Sequence, residues 1–155
     1  MPKIEIQSER WGTVIVDDEA IIEIQSGLIN YPHATRWVLL ETDAENCFKW
    51  FQSCDDPELG YVVTDPQYWE PSFNATIRRE ELEAIGVNNL EEAIVLVTVN
   101  RPDIYGGKII TADYQAPLVL GTKSFKGIQL VLTDKLWTTQ HHIAEYPNES
   151  TARSA

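Results

Sequence analysis

Three histidines are the first residues to weigh for chemistry in this chain of 155. His141 and His142 are adjacent, and adjacent residues on a strand point to opposite faces, so the pair does not readily share one metal ion. His33 is distant in sequence, and no Cys/His spacing of the kind zinc requires accompanies it. No metal or cofactor is therefore expected. Tyr105-Gly106-Gly107-Lys108 resembles a phosphate loop only superficially. It lacks the four-residue spacer before Gly-Lys and the following Ser/Thr, and reads as a hairpin turn. Twenty-four carboxylates produce some Asp/Glu pairs by chance. A glycosidase would need two of them aimed across a cleft, which spacing does not show. No Ser, Cys or Lys stands in a nucleophile motif. The expected activity is binding, not catalysis.

The stretch that favours binding is residues 48 to 66, an aromatic run, an acidic turn, a second apolar run and an Asp65-Pro66 stop. Proline has no N–H for a ladder, so pairing ends there. The result is a β-hairpin with Asp55 and Asp56 at its tip and Glu58 and Asp65 nearby, a surface for a protein partner. Charge points the same way. The net charge is −12, and residues 1–77 hold 14 carboxylates against 4 cations. Such a half repels a phosphate backbone, so nucleic acid is not the expected ligand. It attracts a basic protein and speeds the encounter; the plainer alternative is a solvated, solubilising face. Of the five tryptophans, Trp37 and Trp50 are expected in the core. Trp69, beside Tyr68 and before Pro71, and Trp137, in a polar stretch, are expected as exposed anchors of the kind that carry energy at interfaces. Aromatics also stack on sugars, so the alternative function is a carbohydrate-binding β domain using Trp69, Trp137 and Tyr68.

These residues need a scaffold, and the length suits one domain with its own core. No apolar run is long enough to span a membrane. Met1 to Ile6 enters a strand pattern with no secretory h-region, so the cytoplasm is the expected compartment. Cys47 and Cys54 lie at opposite ends of one expected strand, too far apart to bridge, and read as reduced, partly buried thiols. Short strands punctuated by turns run through Ile4 to Ser8, Thr13 to Val16, Ala20 to Ile24, Trp37 to Leu40, Phe48 to Ser53 and Tyr61 to Thr64. Residues 27–32 form a loop, and an acidic turn passes through Asp43 and Glu45. One helix is expected over Arg78 to Ile85, closed by Gly86, with a further helical turn at Asn89 to Glu92. Ala93 to Val99, almost continuously apolar and β-branched, reads as the central strand, and Phe48 to Ser53, aromatic on both faces, is expected to be covered on both sides. A loop over Arg101 to Lys108, short strands at Ile109 to Tyr114 and Pro117 to Leu120, and an alternating strand at Ile128 to Leu132 follow. The expected fold is mainly β, a small antiparallel barrel-like domain with one short helix; a two-sheet sandwich is the alternative. The domain spans 1–143, and 144–155 is expected to be a disordered tail.

Several segments stand out when taken in order: Arg10-Trp11-Gly12, Gly27-Leu28-Ile29, Trp37-Val38-Leu39-Leu40, Phe48-Lys49-Trp50-Phe51-Gln52-Ser53 with Asp56-Pro57, Tyr61-Val62-Val63 and Asp65-Pro66. Thr98, Ala116-Pro117-Leu118-Val119, and Gly127 with Gln129-Leu130-Val131-Leu132 complete the set. Together they resemble the FliW family of flagellar assembly factors over about residues 3 to 142. The chain departs from the family at Asp113-Tyr114, where Asn-Leu is usual, at Gly121, where Asn is usual, and at Gln140, where Arg is common before His141. The resemblance implies a non-catalytic cytoplasmic protein that binds the translational regulator CsrA, a basic RNA-binding dimer, and relieves its repression of flagellin mRNA. It also implies binding of flagellin, in a partner switch. Covering the RNA site and docking beside it both remain open as mechanisms. The segment Trp137 to His141 is expected to pack on the barrel and help form a partner surface.

Overall fold

The computed structural model describes residues 2–41, 47–100 and 109–145. The expected turn at Asp43 and Glu45 and the loop with Tyr105-Gly106-Gly107-Lys108 lie outside the described residues. Eleven strands carry the described fold: β1 (Lys3–Ser8), β2 (Gly12–Asp17), β3 (Ile22–Glu23), β4 (Arg36–Leu40), β5 (Phe48–Ser53), β6 (Gly60–Thr64), β7 (Ala93–Asn100), β8 (Ile109–Ala112), β9 (Leu118–Gly121), β10 (Gly127–Gln129) and β11 (His141–Glu145). Every strand pair is antiparallel. β1 and β2 form their own two-stranded sheet. The remaining strands run in the order β10-β9-β7-β6-β5-β4-β3, with β8 also on β7 and β11 on β8.

The fold is mainly β, as the punctuated apolar runs require, but the ladder does not close into a barrel. The two ends of the path meet at a single parallel bridge, Glu23 to Lys126, where the Glu23 N–H donates to the Phe125 carbonyl at 2.9 Å. β3 is only two residues long because Asp18–Ala20 turns as a 3-10 helix, in place of the longer strand expected over Ala20 to Ile24. A strand so short cannot complete a seam with β10.

Inside the path, Ile22, Trp37, Phe51, Val63, Leu96, Leu118 and Leu120 form one core, centred on Trp37 stacked flat on Phe51 at 4.8 Å between ring centres. β7 is covered on both sides. Leu96 enters this core while Val97 enters a second one with Phe73, Ala112, Tyr114, Leu132 and Trp137. Alternation sends successive residues of a strand to opposite faces, so β7 is apolar from Ala93 to Val97, and polar residues enter only at Thr98 and Asn100 toward its end.

Among the described residues two short α-helices are present where one was expected. α2 (Arg79–Ala84) is that one, and it closes through Gly86 at φ +70°. The Val87 N–H reaches the Leu82 carbonyl and the Gly86 N–H the Glu83 carbonyl, the paired bonds of a left-handed C-terminal stop. α1 (Pro66–Trp69) is the addition. Asp65 accepts the Gln67 N–H with its side chain, and Pro66 takes the first helical position, where a missing N–H costs nothing. Asp65-Pro66 thus stops β6 and starts a helix at once. At the C-terminal end, β11 pairs Glu145 with Ile109, and 146–155, most of the expected tail, lie outside the described residues.

Candidate partner-binding surface

The acidic tip between β5 and β6 is held by one buried amide. Gln52 is 1% exposed. Its Nε2 lies 3.1 Å from the Ser53 carbonyl, 3.2 Å from that of Asp56 and 3.1 Å from that of Leu59. Two hydrogens are shared among these acceptors. Its Oε1 accepts the Ser8 hydroxyl and the Trp50 indole N–H, both at 2.8 Å. Ser53 Oγ accepts the Asp55 and Asp56 N–H groups. The tip is therefore a rigid loop tied to β1. The Glu9 N–H donates to the Pro57 carbonyl at 2.8 Å and fastens the β1–β2 turn beside it.

Each acidic residue has its own task. Asp55 meets Arg36 at 3.1 Å, an exposed ion pair that offsets its charge. Asp56 Oδ1 accepts the Glu58 N–H at 3.0 Å and shapes the turn. Glu58 is exposed, and among the described residues no cation stands within ion-pair distance of it or of Glu9. Beside the tip, burial pushes the Cys54 thiol up to about 11, against a smaller lowering by Arg36.

A concavity of about 400 Å³ opens where the two hairpins meet, lined by Glu9, Arg10, Trp50, Pro57, Glu58 and Gly60. Gly60 has no side chain for a reason: a Cβ there would lie 2.6 Å from the Trp50 ring. Trp50 is only partly buried, unlike the fully enclosed Trp37. Trp11, 43% exposed, meets it edge-on at 6.1 Å, and the Arg10 guanidinium lies 5.2 Å from the Trp11 ring centre.

The other expected site residues lie elsewhere. Asp65 caps α1 at the opposite end of β6, about 17 Å from the tip by strand rise. Trp69 is half-buried, its N–H donating to Thr64 Oγ1 at 3.0 Å and its ring stacked on Phe48. Trp137 is 5% exposed and packs edge-on against Phe73 at 4.8 Å, so it is a core residue and not the surface anchor expected. His141 is half-buried, its ring 4.3 Å from that of Tyr114 and its Nε2 3.7 Å from Glu70 Oε1. With Trp137 inside, the sugar platform of Trp69, Trp137 and Tyr68 does not form; of the three only Tyr68 is open, at 64%. Gln52 was missed by sequence reasoning, although a lone amide between Phe51 and Ser53 in an apolar strand is the pattern of a buried polar clamp.

Two other concavities of similar size flank the second core, one between residues 74–81 and 130–137, the other along the β7 edge at residues 93–96. Among the described residues, no group of three or more His, Cys, Asp or Glu is placed to hold a metal ion, and no helix is long and apolar enough to cross a membrane.

The family model described as FliW protein matches residues 5–143. The chain belongs to the FliW family. Relatives named flagellar assembly factor FliW include one from Treponema denticola, 34% identical over 140 residues that make up 90% of this chain and 93% of the relative. Another, from Heliobacterium modesticaldum, is 36% identical over 144 residues, 92% of this chain and 90% of its own. A crystal structure of the flagellar assembly factor FliW superposes with a TM-score of 0.82 at 23% identity, covering 94% of this chain and 99% of that one, a likeness of fold. The family match thus spans nearly all of the chain.

Proposed function

We propose that this FliW-family chain is a non-catalytic regulator of flagellar assembly that acts in the cytoplasm by occupying proteins. Its partners are a basic CsrA-type RNA-binding regulator, whose repression of flagellin mRNA it relieves, and flagellin, which competes for it. The observation that carries the reading is the rigid acidic tip of Asp55, Asp56 and Glu58. It is clamped by Gln52 and set in a half-chain with 14 carboxylates and 4 cations. A preorganised acidic loop loses little freedom on binding and steers a cationic partner toward it. Glu58 is the member free to meet a partner's cation, while Asp55 first gives up Arg36 and Asp56 keeps the loop in shape.

A three-component competition tests the reading. Purified chain is titrated into a complex of the CsrA-type regulator with a flagellin leader RNA, and flagellin is then added. The expected result is release of RNA on the first addition and its recapture on the second. RNA that stays bound throughout contradicts the proposal. Turnover of a sugar or other metabolite by the chain would contradict its non-catalytic part.

A further inference from the structure

We infer that the concavity between the β1–β2 turn and the β5–β6 tip is a socket for one arginine side chain of the basic partner. This inference rests on the proposed binding of a cationic protein and gives it a contact. Carboxylates alone would make only a solvated acidic face; the fixed indole that lines the same concavity singles this place out. Trp50 forms the aromatic wall, its N–H committed to Gln52 and its ring lying where Gly60 leaves no room for a Cβ. Glu9 and Glu58 supply two carboxylates on the same concavity, and among the described residues neither is paired with a cation. A planar guanidinium can lie on an indole face while its N–H groups reach carboxylates, which a compact ammonium does less well.

The chain already shows this taste for guanidinium. Arg10 sits 5.2 Å from the ring centre of Trp11, and Trp11 meets Trp50 edge-on. Arg10 also lines the concavity, so its charge opposes a second cation there. The socket is built in advance. Ser8 and Gln52 join the two hairpins through one hydrogen bond, and Glu9 and Pro57 join them through another. Little ordering remains for binding to bring about.

The test follows the Trp50 indole N–H resonance of the full chain while N-acetyl-arginine amide is added, with the lysine and glutamine analogues in parallel. The expected result is a saturable shift with arginine, a weaker one with lysine and none with glutamine. Glu9→Gln with Glu58→Gln should abolish the arginine response. Both positions are exposed and the changes are isosteric, so the fold is kept. Arg10→Gln should strengthen the response by removing the opposing charge. The double Gln variant should also bind the CsrA-type regulator about tenfold more weakly, as loss of one well-seated contact does. An equal shift with the glutamine analogue, or an arginine response unchanged in the double variant, overturns the socket. So does undiminished binding of the regulator by that variant. If the unaltered chain ignores the regulator but shows the arginine response, the function reading fails instead.

Discussion

The Asp113 carboxylate accepts the Gln115 and Ala116 N–H groups, each at 3.1 Å, and so ends β8 in a turn. Burial raises its pKa, and those two hydrogen bonds lower it less. A folded-state pKa above the unfolded one means stability falls as pH rises through the ordinary carboxylate range. Asn would keep the acceptor without the charge. Asp113→Asn should therefore melt higher than the parent at pH 7, by a few degrees at most given about 2–4 °C per kcal/mol at this size. The gain should vanish toward pH 3, where the parent's carboxyl is neutral too. A gain that persists unchanged at pH 3, read by thermal melts, would show that the charge is irrelevant. Tyr114 beside it is fully buried and donates to the Pro66 carbonyl at 2.7 Å, anchoring α1 to this turn. Trp137 closes the same core, so Trp137→Ala should cost about 3–5 kcal/mol in denaturant unfolding. If Trp137 were instead a surface anchor, that variant would unfold like the parent and lose only binding.

At the scale of elements, the β5–β6 hairpin and the β1–β2 turn behave as one unit because Gln52 of β5 also holds Ser8 at the end of β1. Removing its amide leaves the Ser8 hydroxyl and Trp50 N–H without their acceptor and takes one of two donors from the carbonyls of Asp56 and Leu59, which keep the Leu59 and Ser53 N–H groups. Gln52→Ala should cost about 2–4 kcal/mol, since each stranded buried group costs roughly 1–3. Hydrogen exchange should rise selectively at residues 53–59 and 8–11. Exchange that rises evenly over the whole domain would mean the amide has no local role. Much of this hairpin was legible beforehand. The apolar run of β5 and the Asp-Pro stop fix where pairing begins and ends, and local chemistry sets both. The same local reading misjudged Trp137, because a polar neighbourhood in sequence says nothing about which core a turn folds onto. It also took Asp65-Pro66 only as a stop, although Asp before Pro also begins a helix. Barrel closure depends on the meeting of β3 and β10, about a hundred residues apart, and no local pattern encodes that register.

For the whole molecule, the uneven charge is the property that local structure cannot replace. The acidic half includes both hairpins, and the tip stands at their junction with Glu9 and Glu58 left open. Five ion pairs of Lys or Arg are seen among the described residues, and four of them use carboxylates other than those at the tip, so most of the paired cations are engaged away from it. A field of this kind acts first on encounter and only secondarily on the lifetime of a complex. The most direct measurement is therefore the association rate of the chain with the CsrA-type regulator by stopped flow across ionic strength. The account predicts a rate that falls at least about tenfold between low and physiological-to-high salt, as surface fields become screened, and that falls less steeply once Glu58 is replaced by Lys. A rate that is flat with salt, or unchanged by Glu58→Lys, would contradict it.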